Sequence, residues 1–296
     1  MKKLRTFAVS MIVAALGLLI YCAGFYIKSY EQNLAAKQEY AELSRMAGVK
    51  NRADAGLLAD APKNAEDSNT ENSEKKRRKK QRRSSESKNK NHADEIRESF
   101  GISWENLRKI NSQTVAWITV PGADISYPVV QGDDDEFYLK HNFQDEENLF
   151  GCIFLGKANR KDFSDSHSFL YGHNMQGNMM FANLNRYEDP AYLEQCPEFE
   201  IITPEKKYTY RIFSVEQAQE GSTAFEYGYD LSGNAYREQL MLLKNHSLYD
   251  TGIMPRSDRQ IVTLVTCNSR LDQTVRMAVH GNLRNTLSWS QYSARK

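Results

Sequence analysis

The sequence predicts a mainly β protein, an antiparallel or mixed β-barrel, on three observations. Eight short β-like segments fall between residues 115 and 283: VAWITV (115–120), ISYPVV (125–130), CIFLG (152–156), HSFLYG (167–172), FEIIT (199–203), KYTYRIFSVEQ (207–217), IVTLVT (261–266) and VRMAVHGNL (275–283). Most are rich in β-branched and aromatic side chains. Few helical patterns separate them, which argues against a parallel α/β sheet.

At the N-terminus, Lys2, Lys3 and Arg5 precede a run from Phe7 to Ile27, 21 residues without a charge. About 20 apolar residues in a helix span the hydrocarbon core of a bilayer. A cleaved signal peptide has a shorter apolar region and a small-residue cleavage site, whereas this run ends in Tyr21-Cys22-Ala23-Gly24-Phe25-Tyr26. Bulky Tyr21 also argues against a lipoprotein reading of Cys22. The expectation is a single-pass plasma-membrane anchor over 7–27, with residues 1–6 in the cytoplasm and the rest of the chain outside.

Residues 28–92 read as a polar, basic tether, helical where it leaves the membrane and disordered beyond about Asp60, because it can bury little apolar surface. It contains KKRRKKQRR (75–83), eight basic side chains in nine. Nucleic-acid binding is the usual first reading of such a run. On an anchored chain it ranks below a solvated, self-repelling linker, and no nucleic-acid partner is expected. Contact with anionic wall polymers or lipid head groups is a sharper version of the same reading.

From residue 93 to 290 the composition becomes that of a globular domain, followed by a short tail (291–296). Ile96, Phe100, Trp104, Leu107 and Ile110 recur at spacings of three and four, predicting one or two short helices interrupted near Gly101. Pro121-Gly122 marks a turn between the first two strands. In LSGNAYREQLMLLKNH, the residues Tyr236, Leu240, Leu243 and Leu248 fall roughly on one face, predicting a long helix inserted before the strand that ends at Cys267.

The overall charge of +1 excludes little. The four cysteines, 22, 152, 196 and 267, include no C-x-x-C pair and no Cys/His cluster with zinc spacing. Cys267, at the end of IVTLVTC, is either a small hydrophobe finishing a strand or a nucleophile at a sheet rim. A thiol with an ordinary pKa near 8.5 needs a base or cation beside it to react at neutral pH. His92 lies in the tether and His246 in the inserted helix; His167 and His280 sit within strands as packing or surface residues, and His141 is placed to cap a short helix. His173 follows a strand directly in YGHNM and is free to reach across a sheet rim. Arg276 opens the next strand after Cys267; its guanidinium stays charged and suits a developing oxyanion. Arg270 and Arg284 are its rivals, and by residue type alone Arg276 reads more often as a surface charge than as an oxyanion donor.

Together these segments resemble the sortase family, cysteine transpeptidases of Gram-positive cell surfaces. TLVTC (263–267) is similar to the family's TLxTC, YGHNM (171–175) to its histidine segment, and RMAVHGNL (276–283) to its arginine strand. The histidine stands 94 residues before the cysteine and the arginine nine after it. The resemblance covers roughly 95–290 and is strongest to class B, whose barrel entry is similar to AWITVPGADISYPVVQGDDDEFYLKHNF. Class B enzymes often read TLSTC followed by an acid, where this chain has Val265 and Asn268.

The resemblance implies a closed barrel of about eight strands, with N-terminal helices and the inserted helix, in which Cys267, His173 and Arg276 converge. It implies cleavage of a C-terminal sorting motif through a thioacyl-enzyme, and transfer of the acyl group to a peptidoglycan cross-bridge amine or, less often, a pilin lysine. No metal or organic cofactor is expected. The rival readings are a hydrolytic cysteine protease using the same pair with water, and a tethered binding module with a structural Cys267.

Overall fold

The structure is a computed structural model that describes residues 2–49, 98–175, 177–267 and 274–294; the side chains of residues 2–10, Val13 and Cys267 lie outside the described ones. His92, the basic run 75–83, Asn268 and Arg270 therefore fall outside it.

Eight strands close into a barrel: β1 (Thr114–Val120), β2 (Ile125–Val130), β3 (Ile153–Leu155), β4 (His167–Gly172), β5 (Glu198–Ile202), β6 (Lys206–Gln219), β7 (Ile261–Cys267) and β8 (Val275–Ser288). Their order around the wall is β6-β8-β7-β4-β3-β2-β1-β5, with β5 pairing back onto β6. Two neighbouring pairs, β4·β7 and β2·β3, are parallel and the others antiparallel, so the mixed barrel expected from the strand pattern is what forms. The two 14-residue strands β6 and β8 shift register at Thr209/Tyr210 and Ile212/Ser214, bends that let long strands wrap a small barrel.

β7 is apolar along most of its length because both its faces are covered. Val262 and Leu264 join the main core with Leu170, Ile201 and Val279. Ile261 joins a second cluster with Phe213, Ala278 and three residues of the inserted segment, Tyr236, Leu240 and Leu243. A strand covered on both faces reads as a near-continuous apolar run rather than an alternating one.

Among the described residues the α-helices are α1 (Lys2–Met46), α2 (Trp104–Ile110), α3 (Phe137–Lys140), α4 (Pro190–Gln195), α5 (Asn234–Asn245) and α6 (Trp289–Ser293). α5 is the inserted helix, and it ends at Asn245, so Leu248 lies beyond it and is 45% exposed. The helical spacing overreached there; Tyr236, Leu240 and Leu243 form the buried face. A second correction concerns residues 98–103. Phe100 and Gly101 take positive φ (52° and 81°) as the turn of a two-residue antiparallel ribbon, Glu98–Ser99 with Ile102–Ser103, and the helix starts only at Trp104. Trp104 donates its indole N–H to Ser99 Oγ at 2.7 Å, which closes ribbon and helix on each other.

α1 runs unbroken through the apolar stretch and into the expected tether. Ala36, Tyr40, Leu43 and Ala47, spaced four, three and four, are buried against the barrel domain. Among the described residues no helix is long and apolar enough to cross a membrane; part of the 7–27 run has side chains outside the described ones.

Candidate active site

The site is built at one end of three adjacent strands. β4 and β7 run parallel with Thr266 beside Gly172, so Cys267 ends β7 where His173 leaves β4. β7 and β8 run antiparallel with Cys267 directly opposite Arg276. Three residues separated by up to 103 positions in sequence thus share one strand end (173 to 276).

A cleft of about 290 Å³ opens there, lined by His173, Arg276, Thr266, Tyr171, Asp135 and Glu220 among others. His173 is half-buried, and its Nε2 lies 2.7 Å from the carbonyl oxygen of Leu139. A carbonyl only accepts, so Nε2 carries a hydrogen and Nδ1 is left as the nitrogen that exchanges a proton. Leu139 belongs to α3, whose start is held by Asp134: its Oδ1 accepts from the N–H groups of Glu136 (2.9 Å) and Phe137 (2.7 Å). Those bonds hold the Asp134 carboxyl below the usual carboxylate range.

The Arg276 side chain is 21% exposed, and its guanidinium donates to Glu220 Oε2 at 2.8 Å. Thr266 is buried, and its Oγ1 has no hydrogen-bond partner among the described residues. A buried hydroxyl without a partner is uncommon and calls for an explanation; here it sits beside Cys267 in the wall of the cleft. Burial first, then the Asp135 charge, raises the Tyr171 phenol to about 12, so it stays protonated.

A larger cavity of about 580 Å³ adjoins the site, lined by His173, Leu139 and Phe150 with Gln32 and Ala35 of α1; another of about 420 Å³, beside Arg108, Lys161 and Asp162, is lined by neither cysteine nor histidine.

The remaining candidates are placed differently. His141 caps α3, with Nδ1 2.8 Å from the Phe137 carbonyl oxygen. His246 caps the end of α5. Arg284 pairs with Glu198 and is exposed. Cys152 and Cys196 are buried and form no disulfide among the described residues, and burial pushes both thiols up. His167 and His280 are packing residues, but of a polar kind: each is fully buried and lies 2.7 Å from Thr263 Oγ1. The His167 Nδ1–H donates to the Glu226 carbonyl oxygen at 2.9 Å, and His280 Nε2 meets Glu216 Oε1 at 2.9 Å. Asp135, Glu220 and the Leu139 carbonyl were not among the sequence candidates. The acidic run GDDDEF offered a weak signal for Asp135; the other two emerge only from strand register and chain reversal.

The sortase domain family matches residues 118–284, more than half of the chain. Sortase B of Listeria monocytogenes is 31% identical over 179 residues, covering 60% of this chain and 72% of that protein. The crystal structure of Clostridium perfringens sortase B superposes with a TM-score of 0.56 at 31% identity, covering 61% of this chain and 99% of that one. The Staphylococcus aureus sortase B–substrate complex gives 0.57 at 26% identity, covering 62% and 85%. With its closed eight-stranded barrel and these relatives, the chain belongs to the sortase family and is a class B cysteine transpeptidase.

Proposed function

We propose that Cys267 is the nucleophile, His173 the acid–base and Arg276 the oxyanion donor of this transpeptidase. The observation that carries the assignment is register: Cys267 faces Arg276 across β7·β8, and the Thr266–Gly172 pair brings the ends of β7 and β4 together. The Cys267 thiolate attacks the backbone carbonyl of a sorting motif, forming a C–S bond. The C–N bond then breaks, and the leaving amine takes the proton from His173 Nδ1. An incoming amine returns a proton to Nδ1 and displaces the thiolate, leaving a new amide. Fixed donors aimed at developing charge are commonly the largest single contribution to such acyl transfers, and Arg276 fills that role here. The Thr266 hydroxyl, without a partner among the described residues, is available to the bound acyl group from the same wall.

The substrate is the C-terminal sorting motif of a surface protein, and the acceptor is a peptidoglycan cross-bridge amine. Supporting this, a class B relative has been captured as a substrate complex. The chain is held to the plasma membrane by residues 7–27, with residues 28–92 as a tether and 93–290 as the catalytic domain outside. The support is the uncharged 21-residue run and the exposure of its described apolar side chains, such as Leu19 (65%), Ile20 (73%) and Phe25 (70%).

Mass spectrometry of products from a mixed sorting-peptide library, with and without added amines, tests the reading. Transpeptidation diverts the cleaved peptide from free acid to amide when amine is present. Free acid alone, whatever amine is added, would indicate a hydrolase.

A further inference from the structure

The docked end of α1 reaches the residues that hold His173. Tyr40 is buried (6% exposed), and its hydroxyl donates to the carbonyl oxygen of Gly151 at 3.0 Å. Gly151 is packed against the histidine's support. A methyl group at that position would lie 2.4 Å from the Tyr138 carbonyl oxygen, 3.1 Å from that of Leu139 and 3.2 Å from His173 Cδ2. The next residue, Cys152, donates its N–H to the Tyr138 carbonyl at 2.9 Å, and the Leu139 carbonyl is the one that accepts from His173. The same tyrosine meets Tyr127 edge-on, ring centroids 5.1 Å apart, and the Tyr127 hydroxyl accepts from the N–H of Met180 at 3.1 Å. Beside Met180, Phe181 donates its N–H to the carbonyl of His173 itself at 3.0 Å. Two short chains of contact therefore lead from one α1 side chain to both sides of the histidine.

We infer that Tyr40 is a positioning residue of the transpeptidase, a brace by which the N-terminal helix sets the imidazole of His173 through Gly151 and the Leu139 carbonyl. The inference rests on His173 being the acid–base. Its physical basis is that proton transfer depends steeply on placement, and small displacements of a catalytic group cost large factors in rate. The brace is suited to its task because burial raises the Tyr40 phenol well above its ordinary value and keeps it protonated and donating at any working pH. It also gives α1 a use beyond tethering: the segment that joins the proposed anchor to the enzyme is part of the support of the site.

The test uses the full chain in detergent micelles and measures amide formation from a sorting peptide and an amine, well below the melting temperature. Tyr40→Phe removes only the hydroxyl. The matched control is Tyr187→Phe, which deletes an equally buried hydroxyl donating to the Cys196 carbonyl at 2.7 Å, away from the cleft. Tyr40→Phe is expected to lower kcat by about three- to tenfold, the worth of one net hydrogen bond, with KM for the peptide unchanged. Tyr187→Phe is expected to change kcat by less than about twofold at a similar loss of Tm. Gly151→Ala, whose methyl would press on the Tyr138 and Leu139 carbonyls, should lower kcat in the same sense and serves if Tyr40→Phe does not fold. Equal kcat for Tyr40→Phe and Tyr187→Phe, or a change confined to KM, overturns the brace. His173→Ala, run alongside, separates the two claims: full activity in that variant removes the acid–base assignment, while loss of activity there with a silent Tyr40→Phe removes the brace alone.

Discussion

Cys267 sits directly opposite Arg276 in the β7·β8 ladder, one residue past the point where β7 leaves its pairing with β4. Opposed residues in an antiparallel pair have Cα atoms about 4.5–5.5 Å apart, so the barrel wall itself sets the spacing between the proposed nucleophile and the guanidinium. A site on rigid strands holds its geometry more closely than one assembled from loops, and only His173 stands just outside a strand.

Arg276→Ala should therefore cost about 10²–10³ in kcat, the usual effect of removing one oxyanion donor. Arg276→Lys keeps the charge but loses the planar fork, and should recover only part of that loss. Steady-state amide formation by folded variants measures both. Full activity in Arg276→Lys would leave the guanidinium with no specific role.

Burial of α5 against the outer wall predicts a contrast between two leucines. Leu240 is 2% exposed among Phe213, Tyr236 and Ile261, and Leu240→Ala should cost about 2–5 kcal/mol. Leu248→Ala, beyond the helix and 45% exposed, should cost under about 1 kcal/mol. Denaturant midpoints of the two variants check the ordering.

His167 predicts a pH dependence of stability. Burial, and then the neighbouring His280, holds its imidazole well below the usual histidine range. The unfolded chain takes up a proton on this ring below about pH 6.5, while the folded protein does not. The contribution is therefore complete above about pH 6.5 and is lost as the pH falls below it, by up to about 1.4 kcal/mol per unit. His167→Gln should show a shallower fall of stability between about pH 6.5 and pH 5 than the parent chain. Denaturant unfolding at several pH values measures the difference, and parallel curves for the two proteins would count against a neutral buried His167.

Much of this architecture could be read from the chain, and the parts that could not share a physical cause. β-branched and aromatic runs located all eight barrel strands, and the strand-end positions of Cys267, His173 and Arg276 pointed to the proposed site. Lost to sequence reading were contacts set by register. The buried row from Glu226 through His167, Thr263 and His280 to Glu216 draws on strands β4, β7, β8 and β6 and on the segment after β6. No local pattern announces it. The turn at Phe100-Gly101 was hidden for a related reason, since apolar spacing alone cannot distinguish a helix from a tight ribbon before one. The docking face of α1 was present as the spacing of Ala36, Tyr40, Leu43 and Ala47, but its polar surroundings read as tether.

The central claim is that acyl transfer passes through Cys267, and intact-protein mass spectrometry after mixing with a sorting peptide and no amine tests it most directly. The parent chain should gain the mass of the acyl fragment, and Cys267→Ala should gain none while keeping its fold and its Tm within a few degrees. A persistent adduct in Cys267→Ala would contradict the account, because the acyl group would then be carried by another residue.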